Sequence, residues 1–352
     1  MRAFVIEQLK KGTVQSGRAV PKLESGEVLV KVSHVALNPT DWKHLDLVGN
    51  LDSTLGCDYS GTVESVGEGV SRLKVGDKVC GVVHGGKFPQ RGSFAEYLTI
   101  KEDFAMVVPS GMSEADAATY GVGFCTAAMV RRAEARMGES LLARRSEMQL
   151  THQFLVSGGS TSVGLFTLSL LRQLGINSIA TASPHSFDLV KSYGADHVVD
   201  YHDKEAAIKE IQKVTGGGVV GGLECIGGDD NFNLSVRAFG EEGGQLTTLT
   251  LIPDDAIKLR REVKIDRILL YTVFGYSFEF LPGKPHLPAI PEDKAWFIEF
   301  VKRAQGDSGL VSTTKANPVD LRQGGLEGIN EGLDLLRQNK VSGKKLVYKV
   351  EQ

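Results

Sequence analysis

The stretch Phe154-Leu-Val-Ser-Gly-Gly-Ser-Thr-Ser-Val-Gly164 decides how the rest of the chain is interpreted. A short apolar strand leads directly into two glycines, three hydroxyl residues follow, and a leucine-rich helical pattern runs over residues 163–174. Amide groups at the start of such a helix point outward and carry partial positive charge, so they can bind a phosphate. The glycines allow a sharp turn and the close approach of a pyrophosphate. A purely structural tight turn is the alternative interpretation.

Strands and helices alternate along the chain after this turn. The predicted strands are Ser178–Ala182, His197–Tyr201, Val219–Ile226 and Gly244–Thr250, with helices at Ser186–Tyr193 and Lys204–Thr215. Alternation at this spacing predicts a parallel, doubly wound α/β sheet. At the first strand–helix junction of such a sheet, the glycine turn is typical of a dinucleotide site. The cofactor contacts predicted in it are Gly158, Gly159, Ser160, Thr161, Ser162 and Val163.

The N-terminal part of the chain has a different pattern, with apolar residues at every second position. This period of two predicts half-buried strands at Glu27–Ser33, Gly61–Gly67 and Asp77–Val83, and glycine turns between them favour a closed or nearly closed β-barrel. The final strand, Lys345–Val350, can return to this first domain. We therefore predict a discontinuous domain, 1–122 and 278–352, around a cofactor domain at 123–277.

The end of the second predicted strand indicates which dinucleotide is used. An NAD site places Asp or Glu there to accept from the ribose 2′-hydroxyl, but this chain has Thr181-Ala-Ser-Pro-His-Ser186. Ser183, His185 and Ser186 can donate to a 2′-phosphate, and Tyr201 at the end of the next strand adds a phenolic donor. The sequence therefore predicts NADPH, and an ordinary polar loop with an exposed His185 is the alternative.

Composition excludes several other classes of protein. The chain has 352 residues, a net charge of −3 and 41 glycines without a triplet period, so neither collagen nor a globally basic nucleic-acid binder is expected. No apolar run approaches the roughly 20 residues that span a bilayer. The N-terminus lacks the apolar core of a signal peptide, and the four cysteines are isolated. We expect a reduced cytoplasmic protein.

The segments Gly61-Thr-Val-Glu-Ser-Val-Gly-Glu-Gly-Val70 and Leu73-Lys-Val-Gly-Asp-Lys-Val79 resemble the barrel signature of the medium-chain dehydrogenase/reductase superfamily. Four further stretches are similar to fungal trans-acting enoyl reductases and toxD-like reductases: Asn38-Pro-Thr-Asp-Trp-Lys43, Gly158–Gly164, Ala182-Ser-Pro-His-Ser-Phe-Asp188 and Val341-Ser-Gly-Lys-Lys-Leu-Val347. The resemblance covers essentially the whole chain. It implies a GroES-like β-barrel catalytic domain, a Rossmann cofactor domain and NADPH-dependent reduction of a carbon–carbon double bond conjugated to a carbonyl.

The resemblance also implies partners and site residues. The substrate would be a small molecule or a carrier-bound enoyl thioester, handed over in trans by a polyketide synthase, and the protein would be a monomer or a homodimer. Further cofactor contacts are implied at Asp41, Lys43, Ile226, Gly227, Leu249, Thr250, Val341 and Ser342. A substrate pocket is implied at Thr126, Phe274, Gly275 and Tyr276. Core packing of the two aromatic residues is the alternative.

The catalytic groups are less clear from the sequence. Lys43 can hydrogen-bond the nicotinamide ribose or a substrate oxygen, and Thr126 can donate to a carbonyl; a surface lysine and a buried helix threonine are the alternatives. Some enoyl reductases use a tyrosine acid in the loop after Asn-Pro-Ser/Thr-Asp, but here that loop has none. His44, Lys43 and solvent are therefore the candidate proton donors, and His44 can equally be an ordinary loop histidine.

The pattern of ligands for a catalytic zinc is missing. Cys57-Asp58 stands where zinc-dependent relatives have His-Glu, and the loop at 37–41 has no cysteine. His44, Cys57 and Asp58 match no zinc spacing, so we predict no metal. Without a Lewis acid, alcohol oxidation lacks a way to stabilise its alkoxide, whereas hydride addition to a polarised alkene needs less. The rival functions are a quinone oxidoreductase and a non-catalytic NADPH-binding protein.

Overall fold

The computed structural model describes residues 1–137, 153–281 and 283–350, and the chain divides into two compact units. Unit 1 comprises Met1–Cys125 and Tyr271–Gln352, and unit 2 comprises Thr126–Leu270. The sequence placed these boundaries at residues 122 and 278.

The strands, numbered along the chain, are β1 (Ala3–Gln8), β2 (Lys11–Gln15), β3 (Glu27–Ala36), β4 (Asp58–Val66), β5 (Lys78–Val82), β6 (Tyr97–Lys101), β7 (Ala105–Val107), β8 (Gln153–Ser157), β9 (Asn177–Ala182), β10 (His197–Asp200), β11 (Gly221–Glu224), β12 (Gly244–Thr248), β13 (Val263–Arg267), β14 (Val319–Arg322) and β15 (Lys345–Lys349). The α-helices are α1 (Pro39–Lys43), α2 (Glu114–Ala117), α3 (Val122–Met137), α4 (Ser162–Gln173), α5 (Phe187–Ser192), α6 (Lys204–Thr215), α7 (Asp229–Arg237), α8 (Asp254–Leu259), α9 (Pro291–Ala304), α10 (Leu310–Thr313) and α11 (Ile329–Arg337).

Unit 1 is built on a mixed sheet in the order β14-β15-β3-β4-β5-β7, with β6 also paired to β3. Strand β15 pairs antiparallel with β3, Val347 opposite Ala36, so the end of the chain does return to the first sheet. Two register shifts interrupt the β3–β4 pairing, which is how a long strand bends within a barrel-like sheet. Pairing within the described residues forms an open path from β14 to β7, and not the closed ring that was one of the two predicted forms.

Unit 2 confirms the predicted parallel sheet, with the order β10-β9-β8-β11-β12-β13. Apolar clusters cover both faces of the sheet, which is the doubly wound arrangement. Strand β13 was not predicted. The strand order reverses between β8 and β11, and ligands of such sheets bind outside the carboxyl ends of the strands at this point. The glycine turn follows β8 and therefore lies there.

Candidate functional site

The glycine turn of unit 2 is closed by its own hydrogen bonds. Gly158 has φ +84°, and helix α4 begins at Ser162 after Thr161 as its N-cap. The Thr161 hydroxyl donates to the Gly158 carbonyl at 2.8 Å and accepts from the Gly164 amide at 3.0 Å. A Cβ on Gly164 would lie 2.4 Å from that same carbonyl oxygen. Thr161, predicted as a cofactor contact, therefore uses its hydroxyl within the turn.

Gly159 also differs from its predicted role. Its amide donates to the Thr181 carbonyl at 2.8 Å, and a Cβ there would lie 2.7 Å from the Cβ of Ala180. Gly159 is thus required for packing against the neighbouring strand, and its amide does not point to a ligand. Ser160, Ser162 and Val163 are half-buried at the start of the helix, where first-turn amides lack carbonyl partners within the helix.

Residues after β11 and β12 lie at the same edge of the sheet. The Ile226 side chain is 50% exposed, and a Cβ on Gly158 would meet its Cδ1 at 2.8 Å. A Cβ on Gly227 would lie 2.8 Å from Thr250 Oγ1. The structure therefore brings together these four predicted cofactor residues, whereas Leu249 packs against the core of the unit.

Glu224 is a residue of this edge that the sequence analysis missed. It is fully buried at the end of β11, and its Oε1 accepts from the amides of Ile226 at 2.6 Å and Gly227 at 2.9 Å. Its Oε2 accepts from Ser235 Oγ at 2.8 Å. Glu224 thus holds the loop that follows β11. The signal was available, because a glutamate within an apolar strand is buried only when its oxygens are satisfied.

Ser183 and Tyr201 form a pair after strands β9 and β10. Ser183 Oγ and Tyr201 Oη are 3.1 Å apart, so two of the predicted 2′-phosphate donors do lie together. His185 is exposed, whereas Ser186 is only 4% exposed and donates its amide to the Ser183 carbonyl at 2.8 Å. The prediction that the Ser186 side chain meets a cofactor is therefore not supported, since it is buried under the loop it stabilises.

In unit 1, Asp41 is buried instead of facing a cofactor. It is completely inaccessible, and its Oδ2 accepts the Asn38 amide at 2.6 Å in a capping box that begins α1. Burial, with a smaller contribution from the charge of Asp58, raises the pKa of the Asp41 carboxyl from 3.8 to about 7. The prediction of Asp41 as a cofactor contact is therefore replaced by a structural role.

Lys345 neutralises the carboxylates beside α1, a role that the sequence did not indicate. Its Nζ lies 2.9 Å from Asp58 Oδ2 and donates to Asn38 Oδ1, while the other oxygen of Asp58 accepts the Val122 amide at 2.6 Å. Lys345 is 3% exposed and Asp58 is fully buried. We call Asn38, Asp41, Asp58 and Lys345 the buried polar cluster. With Asp41 protonated, the positive charge of Lys345 balances the negative charge of Asp58 within this cluster.

Lys43 and His44 end α1 and begin a turn of π-helix, and they have different environments. Lys43 is exposed, its Nζ lies 5.7 Å from the centre of the Trp42 ring, and partial desolvation lowers its pKa. His44 is 3% exposed and donates from Nδ1 to the Thr40 carbonyl at 2.8 Å. Burial lowers the pKa of His44 to about 4. The imidazolium that proton donation from His44 requires is therefore disfavoured at neutral pH.

The predicted pocket residues Phe274 and Tyr276 stack on each other, with ring centres 6.0 Å apart. Tyr276 Oη is 2.8 Å from Nδ1 of His84, a residue that the sequence analysis missed. The His84 ring also stacks on Tyr271 at 3.9 Å and 9°. Tyr271 Oη is in turn 2.6 Å from Thr40 Oγ1 on α1. Because these residues come from distant parts of the chain, only the fold brings them together.

The remaining predicted residues are placed as follows. Thr126 is 6% exposed within α3 of unit 2. Gly275 has φ +71° and a Cβ there would meet the side chain of Lys294 at 2.5 Å, so this position in unit 1 requires glycine. Val341 is half-buried and Ser342 is exposed, both in the segment before β15.

The three residues weighed as zinc ligands have other partners. Cys57 Sγ is 3.5 Å from Tyr271 Oη, and burial raises the pKa of its thiol well above the usual range. Asp58 is bound by Lys345, and His44 Nδ1 by a carbonyl. In the parts of the chain that the structure describes, no group of three or more His, Cys, Asp or Glu side chains could hold a metal ion. A search of these same residues finds no helix with the length and hydropathy of a membrane span.

Comparisons with known proteins agree with this architecture. Residues 24–110 match the model of the alcohol dehydrogenase GroES-like domain, and residues 162–280 match that of the zinc-binding dehydrogenases. A trans-enoyl reductase of Penicillium crustosum is 36% identical, covering 99% of this chain and 96% of its own. One of Alternaria alternata is 37% identical, covering 99% of both chains.

Solved structures share the fold along the full length. An alcohol dehydrogenase superfamily protein from Novosphingobium aromaticivorans superposes with a TM-score of 0.78 at 22% identity, covering 100% of both chains. The CurK enoyl reductase gives a TM-score of 0.73 at 20% identity, covering 99% of both. A mycobacterial protein solved in complex with NADPH gives 0.72 at 20% identity, covering 99% of this chain and 100% of its own.

Proposed function

Because the chain belongs to the fungal trans-enoyl reductases of the medium-chain dehydrogenase/reductase superfamily, we propose that it uses NADPH to reduce a carbon–carbon double bond conjugated to a carbonyl. The substrate in this proposal is an enoyl thioester or enone of a polyketide pathway, presented by a polyketide synthase that acts as a separate protein. The observation that carries the choice of cofactor is the Ser183–Tyr201 pair at the carboxyl edge of the parallel sheet.

The residues of unit 2 fit a nicotinamide dinucleotide. The start of α4 offers amides to a pyrophosphate. The space between the turn and the Ile226 side chain stays open only because Gly158 has no side chain. Ser183 and Tyr201 would donate to the 2′-phosphate, where the chain has no acid at the end of β9 that would repel it. When bound, the nicotinamide supplies a hydride. The chain's own task is to bind, orient and exclude water.

Unit 1 would supply donors to the substrate oxygen, whose negative charge grows during the reduction. Lys43 suits this role because it is exposed and carries a depressed pKa. For Thr126 of unit 2, the proposed partner is the carboxamide carbonyl of the cofactor that the same unit would bind. The residues that would be needed for zinc do not fit that metal, since Asp58 is held by Lys345 and the Cys57 thiol by Tyr271. We therefore propose a reaction without zinc.

The test is NADPH consumption, followed by absorbance, with the crotonyl thioester of N-acetylcysteamine and with a benzoquinone as acceptors. The proposal predicts turnover of the thioester, abolition of turnover when its double bond is already reduced, and much weaker support by NADH. Activity on the quinone alone would replace the proposal with a quinone oxidoreductase. Tight NADPH binding without turnover on any conjugated carbonyl would favour a non-catalytic role.

The trans-acting part of the proposal needs its own measurement. The same enoyl group is offered on N-acetylcysteamine and on the phosphopantetheine arm of a polyketide synthase carrier domain, at equal concentrations. A lower KM for the carrier-bound substrate is expected, since the carrier adds contacts that the free thioester lacks. Equal KM values would mean that the chain recognises the acyl thioester alone.

A further inference from the structure

A cavity of about 260 Å³ lies within unit 1, and we call it the His84 pocket. Phe88, Phe104 and Phe274 contribute aromatic walls, and the polar lining includes the buried His84 and Thr99 and the half-buried Tyr276. Ligand sites for whole drug-sized molecules have volumes of roughly 300–1,000 Å³. The His84 pocket is thus sized for part of a ligand, and its walls favour an apolar one.

The His84–Tyr276 pair has one hydrogen more than its mutual bond uses. A neutral imidazole carries one N–H and a phenol one O–H, and only one of these hydrogens lies in the 2.8 Å bond between Nδ1 and Oη. The other is on Nε2 or on Oη, depending on the tautomer. Neither residue has another hydrogen bond among the described residues. A donor hydrogen is therefore left at a pocket that both residues line.

The His84–Tyr276 pair carries no charge that would attract an anionic ligand. Burial lowers the pKa of His84 far below its usual value and raises that of Tyr276, so both stay neutral at physiological pH. Three cationic side chains also line the pocket: Arg91 is bound to Glu24 at 2.6 Å and to Glu27 at 2.7 Å, Lys101 is held by the same two carboxylates, and Lys294 is exposed to solvent. A neutral acceptor, such as a carbonyl oxygen, matches the remaining donor best.

A short chain of contacts links the pocket to α1. The His84 ring stacks on Tyr271, whose hydroxyl is 2.6 Å from Thr40 Oγ1, and Thr40 lies on the same helix as Lys43. We infer that the His84 pocket receives the distal part of the substrate's acyl chain and hydrogen-bonds a neutral carbonyl oxygen on it. This inference rests on the proposed function, because it assigns the chain-end subsite of that same substrate. It makes His84 and Tyr276 specificity-determining residues.

The experiment compares kcat/KM for two kinds of N-acetylcysteamine thioester: 2-decenoyl, and 2-decenoyl carrying a keto group at successive positions from carbon 5 to carbon 9. At least one keto compound is expected to exceed the plain chain by about five- to tenfold, the size of one neutral hydrogen bond. In the double variant His84→Phe/Tyr276→Phe, which keeps both rings but removes both hydrogens, the ratio should fall to about one. Since both substrates use the same folded fraction, partial unfolding leaves this ratio unchanged.

The matched control is Tyr59→Phe. Tyr59 is fully buried in the same unit, its hydroxyl has no hydrogen-bond partner among the residues that the structure describes, and it is not part of the pocket lining, so the keto preference should persist. The inference is overturned if no keto position is preferred, or if the preference survives in the double variant. If the wild-type protein reduces no thioester at all, the proposed function is contradicted, but the inference about the His84 pocket is not yet tested by turnover. Calorimetric binding of the saturated keto and plain decanoyl thioesters then tests the pocket.

Discussion

The carboxyl edge of the sheet in unit 2 and the buried polar cluster in unit 1 are formed by different parts of the chain. The edge of unit 2 consists largely of backbone in a contiguous motif, where Gly158, Thr161 and Gly164 close a turn at the start of a helix. The buried polar cluster of unit 1 consists of side chains from distant positions, with Asp41 and Lys345 some 300 residues apart along the chain. The glycine turn can be recognised from residues that are adjacent in the sequence, whereas the buried polar cluster forms only when the chain folds. Substitutions should therefore fail differently in the two regions.

The largest effect is expected in the buried polar cluster. Lys345→Met removes the cation that neutralises Asp58 and leaves a buried, uncompensated carboxylate, so we expect a loss of about 3–5 kcal/mol in the free energy of unfolding. The matched control is Lys344→Met. That neighbour binds Asp320 at 2.7 Å but is 47% exposed, and surface ion pairs contribute about 0–1 kcal/mol. Urea unfolding of both variants measures the difference.

A second substitution decides whether the loss in Lys345→Met has this electrostatic cause. Adding Asp58→Asn removes the unpaired charge and should recover part of the lost stability. If Lys345→Met and Lys344→Met cost the same, or if Asp58→Asn makes the first variant worse, the cluster is not held together by charge.

The next effect depends on pH. Asp41 has a pKa raised from 3.8 to about 7, so the folded state binds its proton more tightly than the unfolded state does. The free energy of unfolding that this tighter proton binding contributes is fully present below about pH 4 and is lost as the pH rises through 7. Asp41→Asn does not titrate and should therefore gain stability over the wild type as the pH rises, approaching about 4 kcal/mol above pH 8.

Urea unfolding of the wild type and Asp41→Asn from pH 5 to pH 8.5 tests this. A difference that does not change with pH would mean that Asp41 is ionised throughout and fully balanced by Lys345. Asp52→Asn is the control, because that carboxylate is exposed, and its ion pair with Arg18 lowers its pKa instead. Its effect should stay small and flat over this range.

The contrast between the regions also explains what could be predicted from the sequence. The parallel sheet and its glycine turn were predictable because strand–helix alternation and βα turns are local patterns. His84, Tyr271 and Lys345 were not, since the hydrogen-bond partner of each lies at least 192 residues away along the chain. Asp41 was misassigned because the resemblance could not indicate that its carboxyl is buried within unit 1.

A substitution in the glycine turn of unit 2 should weaken cofactor binding more than it lowers the stability of the fold. Gly158→Ala places a Cβ at φ +84°, 2.8 Å from Ile226 Cδ1, at the point where the cofactor is proposed to lie. The backbone conformation costs about 1–3 kcal/mol, and the Kd for NADPH should rise at least tenfold. Gly175→Ala is the control, with φ +67° and open space around it. It should cost similar stability and leave the Kd unchanged; equal Kd values for both variants would exclude the turn from the site.

The smallest effect concerns the choice of dinucleotide. Tyr201→Phe removes only the hydroxyl that lies 3.1 Å from Ser183 Oγ and keeps the ring on which Lys204 packs, with Nζ 4.8 Å from its centre. If that hydroxyl binds the 2′-phosphate, the Kd for NADPH should rise about three- to tenfold, as expected for one hydrogen bond of about 1 kcal/mol. The Kd for NADH, which has no 2′-phosphate, should not change. Fluorescence titration measures both Kd values, so that each dinucleotide serves as the control for the other. An equal change in the two Kd values would show that Tyr201 supports the fold of this edge and does not bind the 2′-phosphate.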